Sequence, residues 1–115
     1  RRIWDASGGT ALGYGSDQNY PVKDVLEHEL KSLSVMFSMR DIFRILGPNT
    51  AAYLNMQNEI GTLEPGKLAN LVFVTADPSQ DLAALRTVDL VVKRGRTYRR
   101  SDYDPAHDLA ARQEP

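Results

Sequence analysis

No group of residues in this 115-residue chain has, by type and spacing, the pattern of a complete metal or nucleophile site. Two histidines are present, His28 and His107, far apart and with no His-x-His pair. A catalytic zinc takes about three protein ligands and keeps one open position, which two separated imidazoles do not supply. His28 lies between Glu27 and Glu29, but residues at i and i+1 do not face each other on a helix. It reads as a partly exposed helix histidine, and His107 as a solvated tail residue. Cysteine is absent, which excludes disulfides, thiolate metal sites and a cysteine nucleophile. Ser7, Ser16 and the other serines lack a Gly-x-Ser-x-Gly elbow. Gly8, Gly9, Gly13 and Gly15 make neither a phosphate loop nor a dinucleotide fingerprint. Lys93, Arg94, Arg96, Arg99 and Arg100 form a basic cluster near Tyr98 and Tyr103. With a net charge of -1 and no recognised binding motif, it reads as a solvated hairpin whose charge blocks edge pairing. Asp17 sits in the polar loop Ser16-Asp17-Gln18-Asn19. By residue type alone it is a loop aspartate that hydrogen-bonds nearby backbone.

The elements that must position these groups fall into two textures. In the first, Ser7-Gly8-Gly9 breaks any preceding helix, and residues 10–15 read as a short, uncharged, fully buried strand. Pro21 suits the first turn of a helix whose apolar stripe is Val22, Val25, Leu26, Leu30 and Leu33. Glu27 and Lys31 pair on its polar side. Ser38 reads as the N-cap of the next helix, with Asp41 at the third position and Ile42, Phe43, Ile45 and Leu46 as its apolar face. Gly47-Pro48 is expected to end that helix, and Asn49 to cap a third through Ala51–Leu54.

The second texture begins near residue 60. Glu64-Pro65-Gly66-Lys67 fits a type II turn. Residues 71–75 read as a buried strand, and Asp77 as the cap of a helical segment over 78–85. Residues 88–92 read as a further strand, and Arg94-Gly95 as a two-residue hairpin turn. From Ser101 the chain is a polar tail, with a frayed helix expected from Asp104-Pro105 to Arg112. The length suffices for one domain with a modest core. At 42% hydrophobic and 25% charged residues, the balance is that of an ordinary soluble domain. No stretch approaches the roughly 20 apolar residues of a membrane span. The near-neutral charge gives no field for nucleic acid or anionic lipid, so neither is an expected partner.

The run Ile60-Gly-Thr-Leu-Glu-Pro-Gly-Lys-Leu-Ala-Asn-Leu-Val-Phe-Val-Thr75, followed by Asp77-Pro78 and by Asp89-Leu-Val-Val-Lys-Arg-Gly-Arg96, resembles the C-terminal signature of the metal-dependent amidohydrolase superfamily. The likeness covers about residues 8–98, and the prolidase-like and imidazolonepropionase-related enzymes are the best subgroup match. It implies that residues 1–58 are a remnant of a (β/α)8 barrel, with strand 8 and the following helices. It implies that 59–100 are the C-terminal part of a composite β-sandwich and 101–115 a polar tail. As an isolated chain the expected class is α+β. The resemblance assigns one catalytic residue, Asp17, at the C-terminal mouth of strand eight, where barrel enzymes put their chemistry. In a complete enzyme that carboxylate binds metal and accepts a proton from the attacking water. The implied cofactor is a divalent metal, zinc first, in the complete enzyme; none is expected for this chain alone, because the family's histidine ligands are missing. Asn70 departs from the family's usual aspartate, Phe37 from a common glycine, and Leu46-Gly47-Pro48 from an alanine-threonine stretch.

Two functions follow. One is a C-terminal fragment of an enzyme that hydrolyses C–N bonds in amides, cyclic amides or peptide-like substrates, inactive alone. The other is a stand-alone scaffold or binding module derived from such an enzyme. A start at Arg1-Arg2-Ile3, without an initiator methionine or an apolar signal core, fits a fragment. A cytoplasmic setting is expected, with a secreted or periplasmic parent enzyme as the alternative. Unpaired strands and apolar faces make self-association the expected partner state, as a symmetric dimer, unless the missing N-terminal part is supplied.

Overall fold

The computed structural model describes residues 1–17 and 25–103. Pro21 and Val22, the helix foreseen from Asp104, and His107 lie outside the described residues. The class is α+β, as expected. Helix α1 (Arg2–Ala6) is followed by a turn and, to residue 17, a stretch without regular secondary structure; α2 (Val25–Ser34) and α3 (Met39–Arg44) come next among the described residues. A π-helical turn (Ile45–Asn49) runs into α4 (Thr50–Tyr53). Strands β1 (Leu71–Val74), β2 (Val88–Lys93) and β3 (Arg96–Arg99) form one antiparallel sheet in that order. A 3-10 turn over Leu82–Arg86 lies between β1 and β2.

Helix α3 starts where its sequence dictates: the Ser38 side chain accepts a hydrogen bond from Asp41 N at 3.2 Å. Ile42 and Ile45 are the two largest fully buried side chains, at 0% and 1% exposure. They join Trp4, Leu30, Phe37 and Leu82 in the core, with Leu12, Tyr14 and Leu33 packed at its margin. Leu26, expected on the apolar stripe of α2, is exposed instead. Phe37, foreign to the family pattern, meets Trp4 edge-on with centroids 5.1 Å apart, a favoured aromatic geometry. The departure is thus a packing choice of this core.

Pro48 does not end its helix. The ring would strike the carbonyl four residues back in an α-helix and lacks the N–H that would bond to it. The chain widens here into a π turn with Pro48 inside it, which accommodates the ring and lets the helix continue. Asn49 therefore has helical angles and makes no cap, which corrects the expected capping role and frees its amide.

In the second half, Lys67 N donates to Glu64 O at 3.2 Å and Gly66 has φ +91, which is the foreseen turn. The hairpin is also as foreseen. Lys93 pairs with Arg96, and Arg94 (φ 50) and Gly95 (φ 79) are both left-handed, a type I′ turn. Asn70 Oδ1 accepts from Arg94 N at 2.9 Å; an aspartate would accept there equally, so this departure from the family is benign. Register slips between Phe73 and Val74, where Leu90 and Val88 are their partners and Asp89 is the extra residue, a β-bulge.

Two expectations fail here. Asp77 Oδ1 accepts from Ser79 N at 2.8 Å and makes a local turn that competes with helix. The helical turn starts only at Leu82 and is capped by Asp81, which accepts from Ala83 N at 2.9 Å. Strand β1 is not buried: Val72 is 61% and Phe73 49% exposed. No residue of the three strands is buried, because no second layer covers the sheet among the described residues. Composition marks these side chains as core-seeking, yet Val72, Phe73 and Tyr98 stand exposed.

Candidate functional site

Residues 10–15, which lead to the loop of Asp17, are expected to be a buried strand, and they are not one. Residues 12–17 have no regular secondary structure and form no ladder. Leu12 and Tyr14 are half-buried while Gly13 and Gly15 are exposed, the two-residue alternation of a strand. The polar backbone of this segment bonds to side chains instead. Asn49 Nδ2 donates to Gly9 O at 2.9 Å and to Leu12 O at 3.0 Å. Tyr14 N donates to Thr50 Oγ1 at 2.8 Å, and Thr50 Oγ1 donates to Ile45 O at 2.7 Å. The Tyr14 hydroxyl donates to the Glu29 carboxylate on α2.

Tyr14's phenol is pushed up to about 12, first by burial, then by its hydrogen bond to Glu29 and by that carboxylate's negative charge. The folded chain therefore keeps this proton to higher pH than the unfolded chain, whose phenol titrates near 10. The Tyr14 contribution to stability is full below about pH 10 and is lost as pH rises through about 12. Denaturant titrations across that window should show a shallower loss for Tyr14→Phe than for the unaltered chain. Parallel curves would show that the tyrosine proton is not coupled to folding.

Asp17 ends the segment, exposed and left-handed at φ 47. That conformation suits Asp and Asn better than most residues. His28 is exposed on α2. Among the described residues, no three His, Cys, Asp or Glu side chains gather closely enough to hold a metal. The described residues therefore do not by themselves fit the divalent metal that the sequence resemblance implies. The sequence reading missed Asn49, Thr50 and Glu29 as supports of this segment. The signal was present as a polar Asn-Thr pair immediately after Gly47-Pro48, inside an otherwise apolar run.

A second polar group joins the two halves. Glu27 on α2 accepts from Lys31 at 2.6 Å and also pairs with Arg86 of the 3-10 turn. Lys31's hydrogen bond and charge, then Arg86's charge, hold the Glu27 carboxyl below its ordinary value. The group is solvated and links surfaces rather than enclosing a reaction. The basic residues Lys93, Arg94, Arg96, Arg99 and Arg100 are all exposed on and beside the hairpin.

The chain matches the Amidohydrolase family over residues 2–98 and belongs to that family. Among curated proteins, none matches it. A solved Xaa-Pro dipeptidase with methionine in its active site superposes with TM-score 0.70 at 24% identity, over 82% of this chain and 23% of its own. A Bifidobacterium longum protein assigned as a prolidase matches at 31% identity and TM-score 0.62, over 73% of this chain and 21% of its own. Molinate hydrolase matches at 23% identity and TM-score 0.65, over 95% of this chain and 26% of its own. The first and third likenesses concern the fold alone. The chain spans about a quarter of the length of these structures. Among the described residues, no helix is long and apolar enough to cross a membrane.

Proposed function

We propose that this chain is the C-terminal part of a metal-dependent amidohydrolase that cleaves a C–N bond. Residues 1–58 form the last β/α unit of its (β/α)8 barrel, and 59–100 the C-terminal part of the flanking β-sandwich. Asp17 is the carboxylate this part contributes to the hydrolytic centre, and a divalent metal, zinc first, is held there by ligands outside these residues. The observation that carries the reading is the family match over residues 2–98, in a chain that spans about a quarter of the length of the solved structures it resembles. The 31% identity to the Bifidobacterium longum prolidase supports prolidase-type substrates, an Xaa-Pro dipeptide first among them. The uncovered sheet, with Val72, Phe73 and Tyr98 exposed, fits a part that packs against the remainder of an enzyme, or against a second copy when that remainder is missing.

The test compares two proteins: these 115 residues alone, and the uninterrupted reading frame that contains them, each supplied with zinc. Hydrolysis of Xaa-Pro dipeptides and of simple amides is followed by release of the free amine. The complete protein is expected to cleave at least one of these and the 115 residues none. Should no C–N substrate be cleaved by the complete protein under any divalent metal, the scaffold reading takes its place.

A further inference from the structure

We propose that Asn49 and Thr50 are positioning residues for Asp17: a two-residue polar clamp that ties the chain leading to Asp17 to the helix that follows it. The inference rests on the reading of Asp17 as a catalytic carboxylate. Backbone N–H and C=O groups drawn out of water need partners, and the segment over residues 9–14 finds three in the adjacent side chains of Asn49 and Thr50. The Asn49 amide spends both of its N–H donors on the segment, at Gly9 O and Leu12 O. The Thr50 hydroxyl accepts from Tyr14 N and gives its own proton to Ile45 O. It is thereby locked in orientation from both sides. Among the described residues, no buried side-chain polar atom lacks a partner, so the clamp is fully satisfied.

The π turn is what aims it. Inserting one residue into the helical repeat changes the face that all later residues present. Asn49 closes that turn and Thr50 follows it, so both owe their direction to the insertion around Pro48. The far end of Tyr14 is tied to α2 through Glu29, so this residue is fixed at its backbone and at its hydroxyl. Asp17 follows three residues later, within about 10 Å along an extended chain. The anchor at Tyr14 therefore limits where that carboxylate can stand. The close fit leaves little slack: a Cβ on Gly13 would stand 3.2 Å from Thr50 Oγ1 and 3.4 Å from Thr50 Cα.

The experiment measures kcat, KM, bound metal and thermal midpoint in the complete protein for Thr50→Val, Thr50→Ser, Asn49→Ala and Asp17→Asn. A misplacement of about 1 Å costs up to about 100-fold in rate. Thr50→Val and Asn49→Ala should therefore lower kcat by about 10–100-fold, with KM and metal content little changed. Thr50→Ser, which keeps the hydroxyl, should restore kcat to within a few-fold. Equal losses in the Val and Ser variants, or a lower midpoint with kcat unaltered in the folded protein, would overturn the clamp. If Asp17→Asn leaves turnover unchanged, the underlying reading of Asp17 fails and takes the inference with it. If Asp17→Asn abolishes turnover while the clamp variants turn over normally, only the inference fails. Amide hydrogen exchange decides the matter if Thr50→Val does not fold. The Tyr14 amide should be as well protected in Thr50→Ser as in the unaltered protein, and exchange of that amide at open-chain rate in the unaltered protein would overturn the proposal.

Discussion

Asp17→Asn in the complete protein is expected to lower kcat by about 10²–10⁴-fold, the usual worth of a positioned acid or base, with almost no loss of folding stability. The two halves of that expectation have separate causes. Asp17 is exposed and left-handed at φ 47, a conformation that Asn adopts as readily as Asp. The substitution keeps the shape of the side chain and the backbone preference, so the fold has little to lose. It removes the negative charge and the basicity, which the reaction would use. Rate and denaturation midpoint therefore come apart, and a paired measurement of kcat and urea midpoint reads both. A variant that is destabilised in proportion to its lost activity would mark Asp17 as structural. A variant with full activity would remove it from the hydrolytic centre altogether.

The second large effect concerns the glycine that opens the Gly-Thr-Leu-Glu-Pro-Gly run. Gly61 has φ +97, and a Cβ there would come within 2.6 Å of Ala51 Cβ and 3.2 Å of Gly47 O. Reciprocally, a Cβ on Gly47 would stand 2.9 Å from Gly61 O. The π turn and α4 thus approach this loop more closely than any side chain allows. Gly66 supplies the control, since its φ is +91 but nothing lies within 4 Å. Gly66→Ala should cost about 1–2 kcal/mol from backbone strain alone. Gly61→Ala should cost that plus about 1–3 kcal/mol for overpacking, the larger effect by a clear margin in chemical denaturation. Equal losses in the two variants would mean that the helix and loop separate at little cost, and that the close approach does not organise the fold.

The turn at Gly66, the hairpin at Arg94-Gly95 and the Ser38 cap were legible in the sequence because each is decided by residues within four positions of one another. Glu27–Lys31 was legible for the same reason, while its third partner, Arg86, was not, being on a distant turn. The errors share a different cause. The segment over residues 10–15 has a strand's composition, but a strand needs neighbours, and none of the described residues lies beside it as a ladder. Residues 71–75 read as buried because burial was inferred from apolarity, whereas burial depends on a covering layer, which the described residues do not provide. Pro48 read as a stop because an α-helix has no room for it, and the wider π turn does. Asn49 then lost its cap and gained the clamp, a consequence invisible to any pattern that assumes the helix ends. Of the candidate site, Asp17 rests on family resemblance alone, and the hydrogen bonds that Asn49, Thr50 and Glu29 make to the chain before it emerged only in three dimensions.

The central claim is that these residues bring one carboxylate to a centre whose other ligands lie elsewhere. Zinc retention by the purified 115-residue chain after equilibrium dialysis, measured by elemental analysis, tests it most directly. The account predicts retention far below one equivalent, indistinguishable between the unaltered chain and Asp17→Asn. One tightly held equivalent per chain, lost in Asp17→Asn, would contradict it.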